Sequence, residues 1–397
     1  MRFVLSLSIA AALSFSLAHS KIVREPELQA ELLKALENLQ TIEKIAEMPA
    51  CALCESKQVR APAETVHTKR PRSKTPLFNQ QAGFELEIRG PFPLNRGSPG
   101  GNGKISYQID GKAESILADF ELRGVTRISA CPTFPPFKIT LEKGRKGTLF
   151  DKSDRDLKVV THCEEPSIEE SLEQLRQEYT AYRMIESAGL ASLLAQLVKI
   201  TYVNPQTGFH TSQEAIILEN IKDTGKRLLG KHEPGSTTFE PPSEAEAEVA
   251  ERLLLNTDWA FGSQRYGLQP HNIKVAQTSD KTGNAPEIRR GISIPYDFDL
   301  AGMIVPSEAF KKYFPNETAS KNSDYSKDRQ ILQEMLRINV GYQDELRTAI
   351  RKVITNHSKV IEAIDLSPMN AANKARFKAR VDHFVTAAQE SLRAVKN

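Results

Sequence analysis

Apolar positions change their spacing along this chain, and each change marks a boundary. Leu28, Leu32, Leu36, Leu39, Ile42 and Ala46 recur at steps of three and four, so residues 21–50 are predicted to hold an amphipathic helix that docks on the main domain or on a partner helix. Residues 51–81 lose that period, carry Lys69-Arg70-Pro71-Arg72 and Pro76, and read as a flexible linker. From Phe84 to Cys163 the runs 84–88, 105–109, 116–122, 137–141 and 157–161 are strand-like and separated by Gly- and Asp-rich turns, which predicts an antiparallel sheet of about five strands.

The helical period returns at 166–188. There Ser167 and Glu170 form a capping box, and Leu172, Leu175, Tyr179, Tyr182 and Ile185 supply an apolar face. Strands at 197–203 and 215–218 follow, then a helix opened by a second capping box, Ser243 with Glu246, and running up to Asn256. Beyond Asp299 the pattern predicts helices over about 328–354 and 372–395, the latter lined by Phe377, Val381, Phe384, Val385, Ala388 and Leu392. A β-rich half of residues 82–222 and a helical half of residues 223–397 make the class α+β.

Composition sets the surroundings. Residues 1–20 open on Arg2, continue through an apolar run from Phe3 to Leu17 too short to span a bilayer, and close on Ala18-His19-Ser20, the form of a secretory signal peptide. A periplasmic or secreted protein is therefore expected, with no transmembrane segment after cleavage; an uncleaved signal anchor is the alternative. With 53 basic against 50 acidic residues, the chain is not built as a nucleic-acid binder. In an oxidising compartment the four cysteines are expected to pair as Cys51 with Cys54 and Cys131 with Cys163; a redox Cys-x-x-C at 51–54 is the alternative. The stretch from Gly97 to Lys104 is Gly-rich, but its spacing is not that of a phosphate-binding loop and a strand follows it, so a hairpin loop is expected.

Candidate chemistry lies at strand and helix ends. Lys158 has apolar neighbours in its strand and needs an anionic partner, which Glu178 offers from the face of the next helix; Lys138 and Glu186 are the fallbacks. Together Lys158 and Glu178 would hold the α- and β-phosphates of a nucleotide. The strand exit at Glu219, Asn220 and Ile221 is suited to the edge of an adenine. Asp258, in Asn256-Thr257-Asp258-Trp259, follows a helix end and is suited to orienting an acceptor hydroxyl, while an Asx turn is its structural alternative. Asn272 enters a strand in His271-Asn272-Ile273-Lys274. Asp297 and Asp299 leave one in Pro295-Tyr296-Asp297-Phe298-Asp299, and as acids at i and i+2 on a strand they would face one cation. Structural calcium at Asp297 and Asp299 is the alternative to magnesium.

This order of Lys158, Glu178, hinge, Asp258, Asn272 and Asp297 resembles the catalytic set of the protein-kinase-like superfamily, most of all its atypical CotH-type spore-coat and HipA-type kinases. The resemblance covers about residues 130–305. It implies a two-lobe fold with an antiparallel β-rich N-lobe and a helical C-lobe. It also implies Asp258 as the catalytic acid, Asn272 and Asp297 as metal ligands with Asp299 as a second acid, and Mg-ATP (or the Mn form) as cofactor. The expected activity is phosphoryl transfer to a protein or cell-envelope component. An inactive kinase-like scaffold of the envelope and a metal-dependent phosphoesterase using Asp258, Asp297 and Asp299 are the alternatives. The sequence departs from the family in lacking G-x-G-x-x-G, His-Arg-Asp and Asp-Phe-Gly, with Asp299 standing where that glycine would be.

Overall fold

The chain divides into two compact units, Met1–Val66 and His67–Asn397. The computed structural model describes residues 73–124, 131, 134–162, 168–229, 241–256, 272–280, 288–304, 327–338 and 342–395, all in the second unit. The expected signal peptide, N-terminal helix, Cys51–Cys54 pair and most of the linker lie outside the described residues. So does Cys163, whose expected partner Cys131 is fully buried. Among the described residues no helix is long and apolar enough to cross a membrane.

Seven strands form one sheet: β1 (Phe84–Arg89), β2 (Gly100–Ile109), β3 (Lys112–Leu122), β4 (Phe137–Leu141), β5 (Asp156–Val160), β6 (Ala195–Val203) and β7 (His210–Leu218). The strands predicted from alternation are all present. The five expected strands pair antiparallel in chain order, but the sheet does not end there: with β7 and β6 the order β1-β2-β3-β4-β5-β7-β6 closes into a barrel, because β1 pairs with β6 in parallel, Phe84 opposite Val198 and Arg89 opposite Val203. The alternation explains how the interior is filled. Phe137, Ile139 and Leu141 point into the barrel while Lys138 and Thr140 point out, and the inward positions of the other strands meet them in one core with Phe92, Phe120 and Tyr202.

Glycines let the strands approach. A Cβ on Gly103 would lie 2.1 Å from the Arg89 carbonyl oxygen and 2.7 Å from the Phe120 ring, so only glycine fits there. The Gly-rich stretch is thus part tight turn, with Asn95 and Ser98 exchanging backbone hydrogen bonds, and part strand β2. The segment before the barrel, read from sequence as linker, is ordered at its end. Pro76–Asn79 forms a 3-10 turn, buries Leu77 completely and donates the Leu77 N–H to the Leu149 carbonyl at 3.0 Å.

Seven α-helices are present among the described residues: α1 (Ile168–Ser187), α2 (Ile221–Leu229), α3 (Pro241–Leu253), α4 (Asp328–Ile338), α5 (Gln343–Thr355), α6 (His357–Asp365) and α7 (Ala371–Ala394). The expected cap at Ser243 is displaced, since α3 starts two residues earlier on Pro241-Pro242, where a missing N–H costs nothing. Glu246 consequently serves elsewhere: its carboxylate accepts the Ala191 N–H at 2.7 Å and pairs with Lys352 at 2.5 Å. The single helix expected over 328–354 is two, with non-helical backbone at Tyr342. A second apolar core joins these helices to the outer face of the barrel through Val160, Ile216, Leu218, Ala195 and Leu197. A two-stranded ribbon of β8 (Ile273–Asp280) and β9 (Ile288–Pro295) packs against α2 and α3.

Candidate functional site

Lys158 leaves the barrel on its outer face, opposite Leu218 of β7 and Lys138 of β4. Lys138 is engaged by Glu121 at 2.8 Å, which leaves Lys158 as the lysine that turns toward the ribbon. Its amine lies 5.2 Å from the centroid of the Tyr296 ring, and the Lys274 amine lies 4.4 Å from the same centroid. Burial, with the nearby positive charges of Arg123 and Lys274, lowers the Lys158 amine to about 6, while the negative charge of Asp297 acts in the opposite direction. An amine from the sheet and an acid from the ribbon's end therefore share one environment.

The end of the ribbon is shaped by two residues in left-handed backbone. Asn272 has φ 50° at the entry to β8 and Asp297 has φ 65° just past β9. Asparagine and aspartate tolerate that conformation better than other side-chain-bearing residues. The two positions are held together by the Tyr296 N–H, which donates to the Asn272 carbonyl at 3.1 Å. The geometry of the acid pair differs from the sequence expectation. Phe298–Leu300 is a 3-10 turn, so Asp297 and Asp299 do not share a strand face; Asp299 is buried and Asp297 half-buried.

Helix α1 grips this turn. The Asp297 N–H donates to the Tyr182 hydroxyl at 3.0 Å, and the Tyr182 ring packs on Phe298 with centroids 4.7 Å apart. Burial raises the Tyr182 phenol, and the charges of Glu178, Asp297 and Asp299 push it the same way. Glu178, one turn earlier on α1, is buried. Among the described residues no ion pair joins it to Lys158, and the charges acting most on that amine are those of Arg123, Lys274 and Asp297. The fallback Glu186 pairs with Arg183 at 2.9 Å.

The strand exit is occupied by its own local structure. The Glu219 carboxylate pairs with Arg227 at 2.7 Å and accepts from the Leu194 N–H and the Thr224 hydroxyl. Asn220 caps α2, accepting the Lys222 N–H at 2.9 Å, and its amide donates to the Asp156 carbonyl at 2.7 Å. Ile221 packs on the helical core.

Asp258 lies outside the described residues, but the chain leading to it is fixed beside the acid turn. Leu254 and Leu255 accept hydrogen bonds from the Met303 and Gly302 N–H groups at 3.1 and 3.0 Å, and the buried Asn256 amide donates to Glu251 at 2.8 Å. Among the described residues no three His, Cys, Asp or Glu side chains gather as a metal site. The expected set of one amide and two carboxylates is all oxygen, a donor chemistry that suits a hard cation such as magnesium.

Sequence reasoning assigned no role to Lys274, Tyr296 or Arg123 and read Tyr182 only as part of an apolar face. Lys274 and Tyr296 do stand inside the two motifs singled out, and that membership was the available signal.

No family model matches the chain, and no curated protein matches it either. Among solved structures, the chain is similar to the proinflammatory kinase CtkA of Helicobacter pylori at 11% identity and a TM-score of 0.31, over 78% of this chain and 99% of that one.

Proposed function

We propose that the protein is an exported atypical kinase of two-lobe design, transferring the terminal phosphoryl group of Mg-ATP to a protein or envelope component. The observation that carries this reading is that Lys158 of the barrel lies over the Tyr296 ring at the ribbon's end, near enough to the next residue, Asp297, for the two charges to interact. Phosphoryl transfer needs little covalent help from a protein; it needs a cation on the phosphates and oxygen ligands that hold magnesium against them. On this reading Lys158 contacts the phosphates, and Asn272, Asp297 and Asp299 supply the oxygen ligands. The strand exit at Glu219, Asn220 and Ile221 would face the base through backbone groups, because the Glu219 and Asn220 side chains are committed to Arg227 and to the α2 cap. Asp258 would orient the acceptor hydroxyl and take its proton.

Thermal unfolding with and without Mg-ATP tests the reading. Saturation at about 100 times the dissociation constant should stabilise the protein by about 2.7 kcal/mol. Asp297→Ala should abolish the magnesium-dependent part, whereas Asp258→Asn should keep binding and stop transfer to any acceptor. Equal, full activity in both variants would end the kinase reading.

The engagement of the Glu219 carboxylate by Arg227 and of the Asn220 side chain by the start of α2, at the strand exit where a base would lie, favours a second reading, a kinase-like scaffold that binds partners without turnover. That reading predicts no stabilisation by any magnesium nucleotide.

A further inference from the structure

We infer that Lys158 and Lys274 form a two-amine clamp over the Tyr296 ring, and that the crevice takes a ligand with at least two adjacent phosphates. The amines come from separate elements, β5 of the barrel and β8 of the ribbon, yet lie 5.2 and 4.4 Å from one ring centroid and near enough to act on each other directly. Several lysines elsewhere on the barrel and helices are matched by an acid: Lys138 with Glu121, Lys199 with Glu85 and Lys352 with Glu246. Among the described residues neither Lys158 nor Lys274 has such an ion pair.

Two amines this close repel when both are protonated, and the face of a tyrosine ring attracts a protonated amine without neutralising it. A phosphate chain between them removes the repulsion, since each ammonium donates to oxygens of a different phosphate. One phosphate would satisfy one amine; two adjacent ones match the pair. The inference rests on the reading of Lys158 as a phosphate contact, but it adds Lys274 and needs neither magnesium nor transfer.

The test titrates the full chain with inorganic tripolyphosphate and with inorganic phosphate by calorimetry, in chelator and without nucleotide. Tripolyphosphate should bind more tightly than phosphate and weaken with added salt, and Lys274→Gln should weaken it about tenfold or more. A measurement on the unmodified protein stands beside it: tripolyphosphate should shield Lys158 and Lys274 together from amine acylation, read by peptide mass spectrometry. Unchanged tripolyphosphate affinity in Lys274→Gln, shielding of Lys158 alone, or no preference over phosphate would overturn the inference. Lys274-dependent tripolyphosphate binding without any transfer from Mg-ATP leaves the clamp standing and removes the kinase. Asp297-dependent binding of Mg-ATP that ignores Lys274→Gln does the reverse.

Discussion

His162 is buried at 2% exposure and stacks on Phe134 with ring centroids 5.2 Å apart; among the described residues neither of its nitrogens has a hydrogen-bond partner. Burial lowers its pKa to about 4, so the folded protein keeps the ring neutral where the unfolded chain would protonate it. The sign follows directly. Above the unfolded value near 6.5 the histidine carries no pH-dependent penalty, and as pH falls toward 4 the unfolded state gains a proton that the folded state refuses. Stability should therefore drop by roughly 3 kcal/mol across that window, at about 1.4 kcal/mol per pH unit. Urea midpoints measured from pH 7 to pH 4 should show the drop, and His162→Phe should flatten it; an identical profile in the variant would exclude His162 as the cause. Single residues of the site were legible to different degrees. Lys158 could be picked out as a strand lysine with apolar neighbours, and Asp297 as an acid at a strand exit. The meeting of Lys158 with Lys274 could not, because it depends on where the ribbon lies against the barrel, and neighbouring residues carry no trace of that.

Helices α3, α4 and α7 are joined by buried charge. Arg380 of α7 donates to the Arg252 and Leu253 carbonyls at 2.6 and 3.0 Å, filling the C-terminal end of α3, and it also pairs with the fully buried Asp328, as does Arg252. The last carbonyls of a helix have no partner inside it, so an arginine from a neighbour meets a real need. Removing one member of such a cluster strands the others in a poor solvent for charge. Arg380→Met should destabilise the protein by about 3 kcal/mol or more in denaturant unfolding, and adding Asp328→Asn should cost less than the two single changes combined. Additive losses would mean that the two side chains act independently. These elements show where periodicity succeeds and where it stops. The apolar face of α7 is long, and its boundaries lie within a residue of those expected. Helix α6 escaped notice because only Val360 and Ile364 are buried along it, too few repeats to establish a period. The turn at Phe298–Leu300 escaped because left-handed backbone at Asp297 redirects the chain just where a strand rule was applied.

For the molecule as a whole, closure of the barrel is the decisive fact. Alternation revealed the strands but not the parallel β1–β6 pair, since parallel partners are joined by long crossovers and leave no turn signature. Closure also fixes how closely β1 and β2 must approach, and Gly103 is the point of least tolerance. Gly103→Ala should destabilise the protein by about 3 kcal/mol, because its new methyl meets the Arg89 carbonyl and the Phe120 ring, and backbone cannot swing aside as a side chain would. A melting temperature equal to that of the parent would show that the strands can separate there at little cost. A sheet joined to itself has a further consequence for recognition. With β1 and β6 each occupied by the other, the barrel has no terminal strand onto which an incoming peptide could be added. On the kinase reading, a polypeptide acceptor would be selected by side chains, helices and loops around the crevice or by adding to the ribbon of β8 and β9, and not by extending the barrel.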